Sequence, residues 1–589
     1  MAATSDQAAP VAQEPDSEKI AGTGNGVHEV GDDNKDESDT SSEHKQDGVK
    51  QVEAITTVWS KELMIVMFIL LYLVSFVDTM LQSVQQNLIP YVTSSFGRHG
   101  LLATTSIVAT IIGGVCNLTI AKVIDIWGRC EGFIVMLTLV VIGMIMKATC
   151  VNVEMYAAAH TLYWVGHIGM QYIIDIILAD TTTLKNRLIL FGVNATPTIA
   201  VTFAGPRIAD LFYSEVNFRW AFGAFSIILV FFSLPVVVIF IVSKRKALKA
   251  GMFPKRVSNR TVVQSAKYYF VQFDVVGMFL TVFGWSLLLL PFSLVTYAPN
   301  GWKTGYIIAL IIVGFFLLLA FPIWERFYAP VQYFPFKFLK DRTILGSCFL
   351  YCFLYISIFC WNAYYGSYLQ VVHGLTITTS GYVLNVLSLT AAFLGPFIGL
   401  LVRYTGAVKW PVVAGIPFAI LGTALLIHFR QPSSHVGYLV MCQVLNGISS
   451  ELWALGGKLA VMASVDHQNI AVVLALHSLF ASIGAAIGFA IAGGIWTNIL
   501  PAKLYEFLPE DSKDLAGSIY GSLVIQESYP FGTPIRDAIV AAYADVQRKM
   551  VIAGTAFLPL CIIAIFMWKN INVLKLEQEK GKQTKGNVW

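Results

Sequence analysis

Long apolar runs of about 20 residues dominate the chain from residue 63 to residue 570. An α-helix needs about 20 mostly apolar residues to cross a bilayer, whereas a barrel strand alternates apolar and polar positions over about 10. The pattern therefore predicts an all-α membrane protein with 14 transmembrane helices, numbered here spans 1 to 14. They are expected at 63–84, 100–121, 132–151, 153–179, 188–212, 219–243, 272–296, 304–324, 343–363, 381–402, 408–428, 436–457, 470–496 and 551–570. The least apolar are spans 5 and 12.

The two ends of the chain lack this pattern. Residues 1–58 contain no apolar run, so we predict a disordered acidic tail there, and residues 571–589 form a short second tail. Residues 1–55 carry a net charge of −9, so the remaining 534 carry +13 although the whole chain has only +4. Hydrophobic residues make up 56% and charged residues 13% of the chain, against about 25% charged in soluble proteins. This composition excludes a soluble multidomain enzyme and a nucleic-acid-binding protein.

The positive charges predict the orientation. With an even number of spans and a cytoplasmic N-terminus, the inner loops hold 19 Lys and Arg, whereas the short outer loops hold 4. Cytoplasmic loops are enriched in these residues. Both termini are therefore predicted to be cytoplasmic, in a multi-pass protein. Residues 244–271 hold eight of the 19, which indicates a topology anchor beside anionic lipid.

Ionisable groups inside a bilayer are costly and often functional. Three acids are the candidate proton carriers: Asp78 in span 1, Asp175 in span 4 and Glu451 in span 12. Two of them also have a structural alternative. Asp78 would simply hydrogen-bond a neighbouring helix, and Glu451 would pair with Lys458 two turns later.

Other polar and aromatic residues lie in the same helices and are the candidate substrate-binding residues. On span 4, His167, Gln171 and Asp175 follow each other at intervals of four and so share one face, with His160 two turns away. The alternative for a membrane histidine is a merely structural hydrogen bond, and for aromatic residues an interfacial belt. The full candidate set is Gln82, His160, His167, Gln171, Tyr355, Trp361, Gln443 and Asn446.

Two motifs carry a resemblance to a known superfamily. Asp125-Ile-Trp-Gly128-Arg129 follows span 2 and resembles the loop 2–3 motif of the major facilitator superfamily, although Lys122 and Cys130-Glu131 depart from the usual pattern. Gly205-Pro206 in span 5 is similar to a motif of its proton-linked members. The resemblance implies that Asp125 and Arg129 act in gating. Arg207 and Asp210 are further gating candidates, with a plain structural pair as the alternative.

Fourteen spans fit the 6+2+6 variant of that fold. The expected parts are the tail 1–58, a first six-helix bundle 59–243, the basic loop with two inserted helices 244–342, a second bundle 343–570 and the tail 571–589. The first helix of each three-helix repeat, namely spans 1, 4, 9 and 12, is expected to line the transport cavity. A long outer loop, 497–550, would separate spans 13 and 14, with a helix capped by Thr533-Pro534 running to about Lys549.

Within the superfamily, Tyr529-Pro-Phe-Gly-Thr-Pro-Ile-Arg-Asp537 in that loop resembles the outer-loop signature of fungal siderophore–iron transporters, and so do the residues from Phe334 to Arg342. The resemblance implies proton-driven import of a ferric siderophore, of hydroxamate type, by a monomer in the plasma membrane. Tyr529 is a gating candidate, unless the loop is only a spacer. Because we find no Cys/His cage, iron would cross still chelated, and no cofactor or resident metal is expected.

Two other functions compete with this one. A proton-coupled drug exporter of 14 spans has the same architecture, and the direction of transport is barely visible in a sequence. A non-transporting membrane sensor is disfavoured by the short C-terminal tail and the low-complexity N-terminal tail. An enzyme is the least favoured, because no nucleotide loop, metal motif or nucleophile–base arrangement occurs.

Overall fold

The computed structural model describes residues 47–96, 102–252, 261–332 and 334–580. Within these ranges the chain is helical and has no strand, which confirms the all-α membrane fold. Among the described residues, thirteen helices are long and apolar enough to cross a membrane. They are spans 1 to 11, 13 and 14, at Lys61–Ser95, Ala103–Ile126, Arg129–Thr149, Val153–Asp180, Leu184–Val216, Phe218–Lys249, Val275–Tyr297, Gly305–Tyr328, Arg342–His373, Ile377–Thr405, Lys409–Phe429, Ile470–Phe507 and Pro534–Phe566.

Span 12 is the fourteenth helix, Val436–Ala463. It is less apolar than the others because it carries Gln443, Asn446, Glu451 and Lys458. The first three of these side chains are buried in the protein rather than exposed to lipid. The helices thus fit the predicted 6+2+6 arrangement.

Two pairs of helices join the two bundles. Span 2 packs along span 13, and span 5 packs along span 10. Small residues allow these close approaches. At Gly114 in span 2, a Cβ atom would lie only 2.2 Å from the Ser482 Cβ of span 13. The inserted spans 7 and 8 pack on each other, and span 7 also contacts spans 2 and 13.

The long outer loop is shorter than predicted. Span 13 continues to Phe507 and span 14 begins at Pro534, so the segment between them is 508–533 rather than 497–550. The helices continue because their extensions bury apolar side chains, including Leu500, Leu504 and Val546. The predicted cap is present, since the Thr533 side chain accepts a hydrogen bond from the Arg536 amide and Pro534 occupies the first turn. The face that carries 508–533 is called the long-loop face below.

The opposite face, here the basic face, carries the turns at 127–128 and 181–183 and the residues after Lys249. The predicted disorder is wrong for residues 47–58, which form the helix Asp47–Val58. This helix is held because Val52, Ile55 and the following Trp59 are buried, and Trp59 Nε1 donates to Ser243 Oγ at 3.0 Å. Residues 1–46 of the predicted tail lie outside the described residues. So do 253–260 of the basic loop and 581–589 of the second tail.

Candidate transport site

A cavity of about 170 Å³ lies between the two bundles, in the half nearer the long-loop face. Spans 1, 2 and 4 line one side, and spans 9, 10 and 13 line the other. Of the predicted binding residues, Gln82 and His160 line it, whereas span 12 does not. The lining residues are Gln82, Gln85, Gln86, Ile89, Pro90, Ser106, Thr110, His160, Tyr163, Trp164, Phe359, Asn362, Ala363, Gly366, Ser367, Leu384 and Phe489.

A buried polar cluster lies at the middle of the first bundle. Asp78 of span 1 is fully buried, its Oδ2 atom lies 2.8 Å from His167 Nδ1, and it accepts a hydrogen bond of 2.6 Å from Gln171 Nε2. The spacing of four on span 4 predicted that His167 and Gln171 share a face, and both side chains meet Asp78. Asp175, the next residue of that stripe, does not join them.

A second buried polar cluster was not predicted. Lys147 of span 3 is fully buried, its Nζ atom lies 2.9 Å from His160 Nδ1, and it donates to Gln85 Oε1. Its Nζ atom also lies 4.1 Å from the centre of the Tyr163 ring. A lysine within the predicted span 132–151 was the available signal. Its partners come from spans 1 and 4, so the sequence of span 3 alone could not reveal them.

Near the basic face, ion pairs join the ends of spans 2, 3 and 4 within the first bundle. Arg129 is buried and binds both Asp125, at 2.8 Å, and Asp180, at 3.0 Å. The two gating candidates Asp125 and Arg129 thus form an ion pair, and Asp180 at the end of span 4 is a second acid bound to Arg129. Gly128 between them has φ +118°, a conformation that side chains rarely adopt, and a Cβ there would lie 2.8 Å from Gln51 Oε1 of the helix Asp47–Val58.

One ion pair crosses between the bundles near the basic face. Lys458 Nζ of span 12 lies 2.7 Å from Asp175 Oδ2 of span 4. The alternative that pairs Glu451 with Lys458 is therefore not what the structure shows. Glu451 instead lies beside Gly395 of span 10, where a Cβ atom would be 2.8 Å from its Oε1. A further bond between the bundles joins Tyr172 Oη to the Ala471 carbonyl at 2.6 Å.

Hydrogen bonds join the bundles at the long-loop face. Tyr91 donates to Gln370 Oε1, from span 1 to span 9. Asp210 Oδ2 accepts a bond of 2.8 Å from Thr378 Oγ1 of span 10. Arg207 lies 3.3 Å from the same carboxylate, but its side chain is 60% exposed. Arg207 and Asp210 therefore form the structural pair given as the alternative to gating, and Asp210 also contacts the other bundle through Thr378.

The 508–533 segment covers this face. Its Leu523 amide donates to Ser94 Oγ at 3.1 Å, and Arg536 at the start of span 14 donates to the carbonyls of Gln526 and Val371. Tyr529 is partly buried against the apolar cluster of this face. Burial raises the pKa of the Glu527 carboxyl from 4.5 to about 7, although the Arg536 guanidinium opposes this shift.

The other predicted binding residues lie in the second bundle, away from the cavity lining. Asn446 Oδ1 accepts from Thr423 Oγ1 at 2.9 Å, and Tyr355 stacks on Tyr351 with ring centres 5.4 Å apart. Trp361 is buried, and its carbonyl accepts a bond of 2.5 Å from Arg430. Arg430 lies in a predicted outer loop, between spans 11 and 12, yet it is fully buried. Gln443 is also buried.

Comparison with known proteins decides the family. Residues 40–481 match the family described as fungal trichothecene efflux pump. The chain is 55% identical to MFS siderochrome iron transporter 1 of Ajellomyces capsulatus, over 96% of this chain and 97% of that protein. It is 41% identical to siderophore iron transporter mirB of Emericella nidulans, over 97% and 95%. The chain belongs to the fungal siderophore–iron transporter family. The resemblance stated from the outer-loop and loop 2–3 motifs is thereby confirmed.

Solved structures agree on the fold of this family member. A bacterial homologue of the lysosomal transporter Spinster, inward-facing and unoccupied, superposes with a TM-score of 0.50 at 12% identity, over 88% of this chain and 99% of that one. An auto-inhibited POT-family peptide transporter gives 0.50 at 12% identity, over 86% and 98%. Both likenesses concern the fold alone, and they confirm the major facilitator fold. In the part of the chain that the structure describes, no group of three or more His, Cys, Asp or Glu could hold a metal ion.

Proposed function

We propose that this transporter imports ferric siderophores of hydroxamate type by proton symport with alternating access. It lies in the plasma membrane with both termini in the cytoplasm. The observation that carries the proposal is the cavity between the bundles, with bonds joining the bundles on both sides of it. Relatives that match over nearly the whole chain are named siderochrome or siderophore iron transporters, which supports the substrate class.

The cavity chemistry suits an oxygen-rich chelate. Its wall contains amide, imidazole, phenol and indole groups from Gln82, Gln85, His160, Tyr163 and Trp164. These groups hydrogen-bond hydroxamate and peptide oxygens without stripping the metal, so iron crosses as cargo of the chelate. The volume of about 170 Å³ is below the roughly 300–1,000 Å³ usual for drug-sized ligands. The bundles must therefore separate at one face to admit the substrate.

Alternating access follows from the two sets of bonds. Breaking Tyr91–Gln370 and Asp210–Thr378 opens the cavity toward the long-loop face, while Lys458–Asp175 keeps the basic face closed. Breaking Lys458–Asp175 opens the opposite face. A substrate that binds both bundles changes the relative stability of these states, because only differential contacts shift such an equilibrium.

The proton is carried by the Asp78–His167–Gln171 cluster. A buried carboxylate is stable only with a partner that compensates its charge, and Asp78 has one oxygen facing His167 and Gln171. Its other oxygen, Oδ1, has no hydrogen-bond partner among the described residues. A proton arriving from the cavity can reside on the imidazole or on Asp78. The proton is then released toward Asp175 and Glu451, the other two candidate proton carriers.

Uptake in cells tests the proposal. The chain is expressed in cells lacking other siderophore carriers, and uptake of radioactive iron on several ferric hydroxamates is measured with and without a protonophore. We expect uphill uptake that the protonophore abolishes. Asp78→Asn should bind substrate yet lose uphill accumulation, whereas Asp545→Asn, which removes a partly exposed ion pair with Lys549, should behave as wild type. Full uphill uptake in Asp78→Asn would contradict the proton role.

Export is the second candidate function, because the matching sequence family is described as an efflux pump. Cells carrying the chain are loaded with a radioactive trichothecene, and its loss is followed over time. Export of the toxin without any iron uptake would replace import as the function. Iron uptake without toxin export would remove the second candidate.

A further inference from the structure

A buried lysine lies directly behind the cavity wall. Lys147 contacts Gln85 and His160, two residues that line the cavity. Within the described part of the chain, no carboxylate lies at ion-pair distance from its Nζ atom. The groups facing it from spans 4 and 6 are the rings of Tyr156, Tyr163 and Phe222, at 5.6, 4.1 and 5.7 Å.

This environment gives the ammonium form of Lys147 no counter-charge. Cation–π contacts attract an ammonium group, but burying a charge away from water costs more than such contacts return unless an opposite charge is near. The buried acid of the first polar cluster, Asp78, already faces His167 and Gln171. The Lys147–His160 pair is therefore a site that a negative ligand atom would stabilise.

Hydrogen-bond donors next to this pair face the same cavity. Gln85 Nε2 and Trp164 Nε1 are buried atoms that find no hydrogen-bond acceptor among the residues described. Gln85 is 2% exposed, so water does not satisfy its amide on the protein surface. An orphaned buried donor costs free energy until an acceptor arrives. Gln85, which contacts Lys147, and Trp164, whose ring centre lies 5.8 Å from that of His160, thus each offer a donor beside the Lys147–His160 pair.

We infer that Lys147, through Gln85 and His160, makes this corner a subsite for a negatively charged oxygen of the substrate, a carboxylate or an ionised hydroxamate. The inference rests on the proposed function in taking the substrate to be a chelate with oxygen ligands. It assigns Lys147 a positioning and charge-compensating role, since its side chain reaches the ligand through the two residues in front of it. The other buried polar cluster, in which Asp78 contacts His167 and Gln171, stays available for the proton.

A matched pair of small ligands tests the subsite without iron. Binding of benzoate and benzamide, which have similar size but different charge, is measured by calorimetry on the purified full chain. Wild type should bind benzoate more tightly. Lys147→Met should weaken benzoate by about tenfold or more, as expected for a lost charged hydrogen bond, and change benzamide by less than about twofold. Lys303→Met, an exposed lysine at the long-loop face, is the control.

A second variant covers failure of Lys147→Met to fold. Gln85→Glu supplies an internal carboxylate to Lys147 at nearly constant size and should abolish the benzoate preference by itself. Equal binding of benzoate and benzamide by wild type would overturn the inference, and so would an unchanged preference in both variants.

Uptake of two ferric trihydroxamates, one neutral and one with a free carboxylate, is measured in parallel. If neither is transported but the benzoate preference depends on Lys147, the proposed function fails and the subsite stands.

Discussion

The two faces of the transporter are closed by different chemistry. Near the basic face the bundles are joined by the Lys458–Asp175 ion pair and the Tyr172–Ala471 hydrogen bond, and Arg129 binds two acids inside the first bundle. At the long-loop face the contacts between the bundles are hydrogen bonds such as Tyr91–Gln370 and Asp210–Thr378, covered by the 508–533 segment.

The difference matters because a broken bond has a different cost on each face. Separating Lys458 from Asp175 leaves two opposite charges unpaired, whereas breaking the neutral Tyr91–Gln370 hydrogen bond is largely compensated by bonds to water. We therefore expect opening toward the long-loop face to be the easier step.

The largest effect is expected at Arg129. Arg129→Met leaves Asp125 and Asp180 buried without their cation, and removing one partner of a buried pair costs about 3–5 kcal/mol. A pronounced fall in the thermal unfolding midpoint of the purified protein should follow. Arg207→Met removes an arginine that is 60% exposed and should cost less than about 1 kcal/mol. Equal losses in the two variants would contradict the contrast between buried and exposed pairs.

The next effect concerns the ion pair between the bundles. Lys458→Met should favour opening at the basic face and lower uptake by about tenfold, since hydrogen bonds to charged groups contribute about 1.5–3 kcal/mol. The exchange Asp175→Lys with Lys458→Asp should recover part of the uptake, because the attraction is restored in reverse. Lys503→Met, in an exposed pair with Glu506, is the control. No recovery in the double variant would mean that the residues act separately.

A smaller effect is expected at Tyr91. Tyr91→Phe removes one hydrogen bond between the bundles, worth about 1 kcal/mol or roughly a fivefold shift in the opening equilibrium. An impermeant maleimide should then label a cysteine introduced at Ser106, in the cavity wall, about fivefold faster. Tyr213→Phe keeps its ring against Tyr91, at 4.4 Å, and should label at the rate of the parent. A slower rate in Tyr91→Phe would show that this bond does not close the face.

The last effect is confined to the 508–533 segment and is a pH dependence at Glu527. The pKa of its carboxyl is about 7 in the docked segment, against an ordinary 4.5. The docked state thus retains a proton that the undocked state loses, so docking weakens as the pH rises from about 4.5 to about 7 and is level above that. Hydrogen exchange in 516–530, corrected for intrinsic rates, should show faster opening at pH 7.5 than at pH 5. Glu527→Gln should remove the difference, and Asp511→Asn, at an exposed acid, should keep it.

The spans were predictable because an apolar run of 20 residues has few alternatives in a membrane protein. The ends of the spans were less predictable. Span 1 was expected to stop at residue 84, yet it continues to Ser95 because Gln85, Asn87 and Ser94 are buried by other helices rather than exposed to lipid. Hydropathy cannot distinguish these two environments. Span 12 shows the same limit, because its polar side chains are buried in the protein although it is the least apolar helix.

The site was predictable only within single helices. The spacing of His167 and Gln171 placed them on one face, and the structure adds Asp78. Asp175 follows the same spacing but meets Lys458 of the other bundle, and Lys147 finds His160 and Gln85 across two helices. These pairings depend on how the bundles pack, which no local pattern encodes.

The helix Asp47–Val58 has a practical consequence for anyone shortening this protein for expression or tagging. The acidic tail invites deletion up to the first apolar run. A chain starting at residue 60 would lose Trp59, leave the Ser243 hydroxyl without its indole donor and remove Gln51 from beside Gly128. A shortened chain should therefore keep Asp47–Val58, so that this helix stays against the turn that follows span 2.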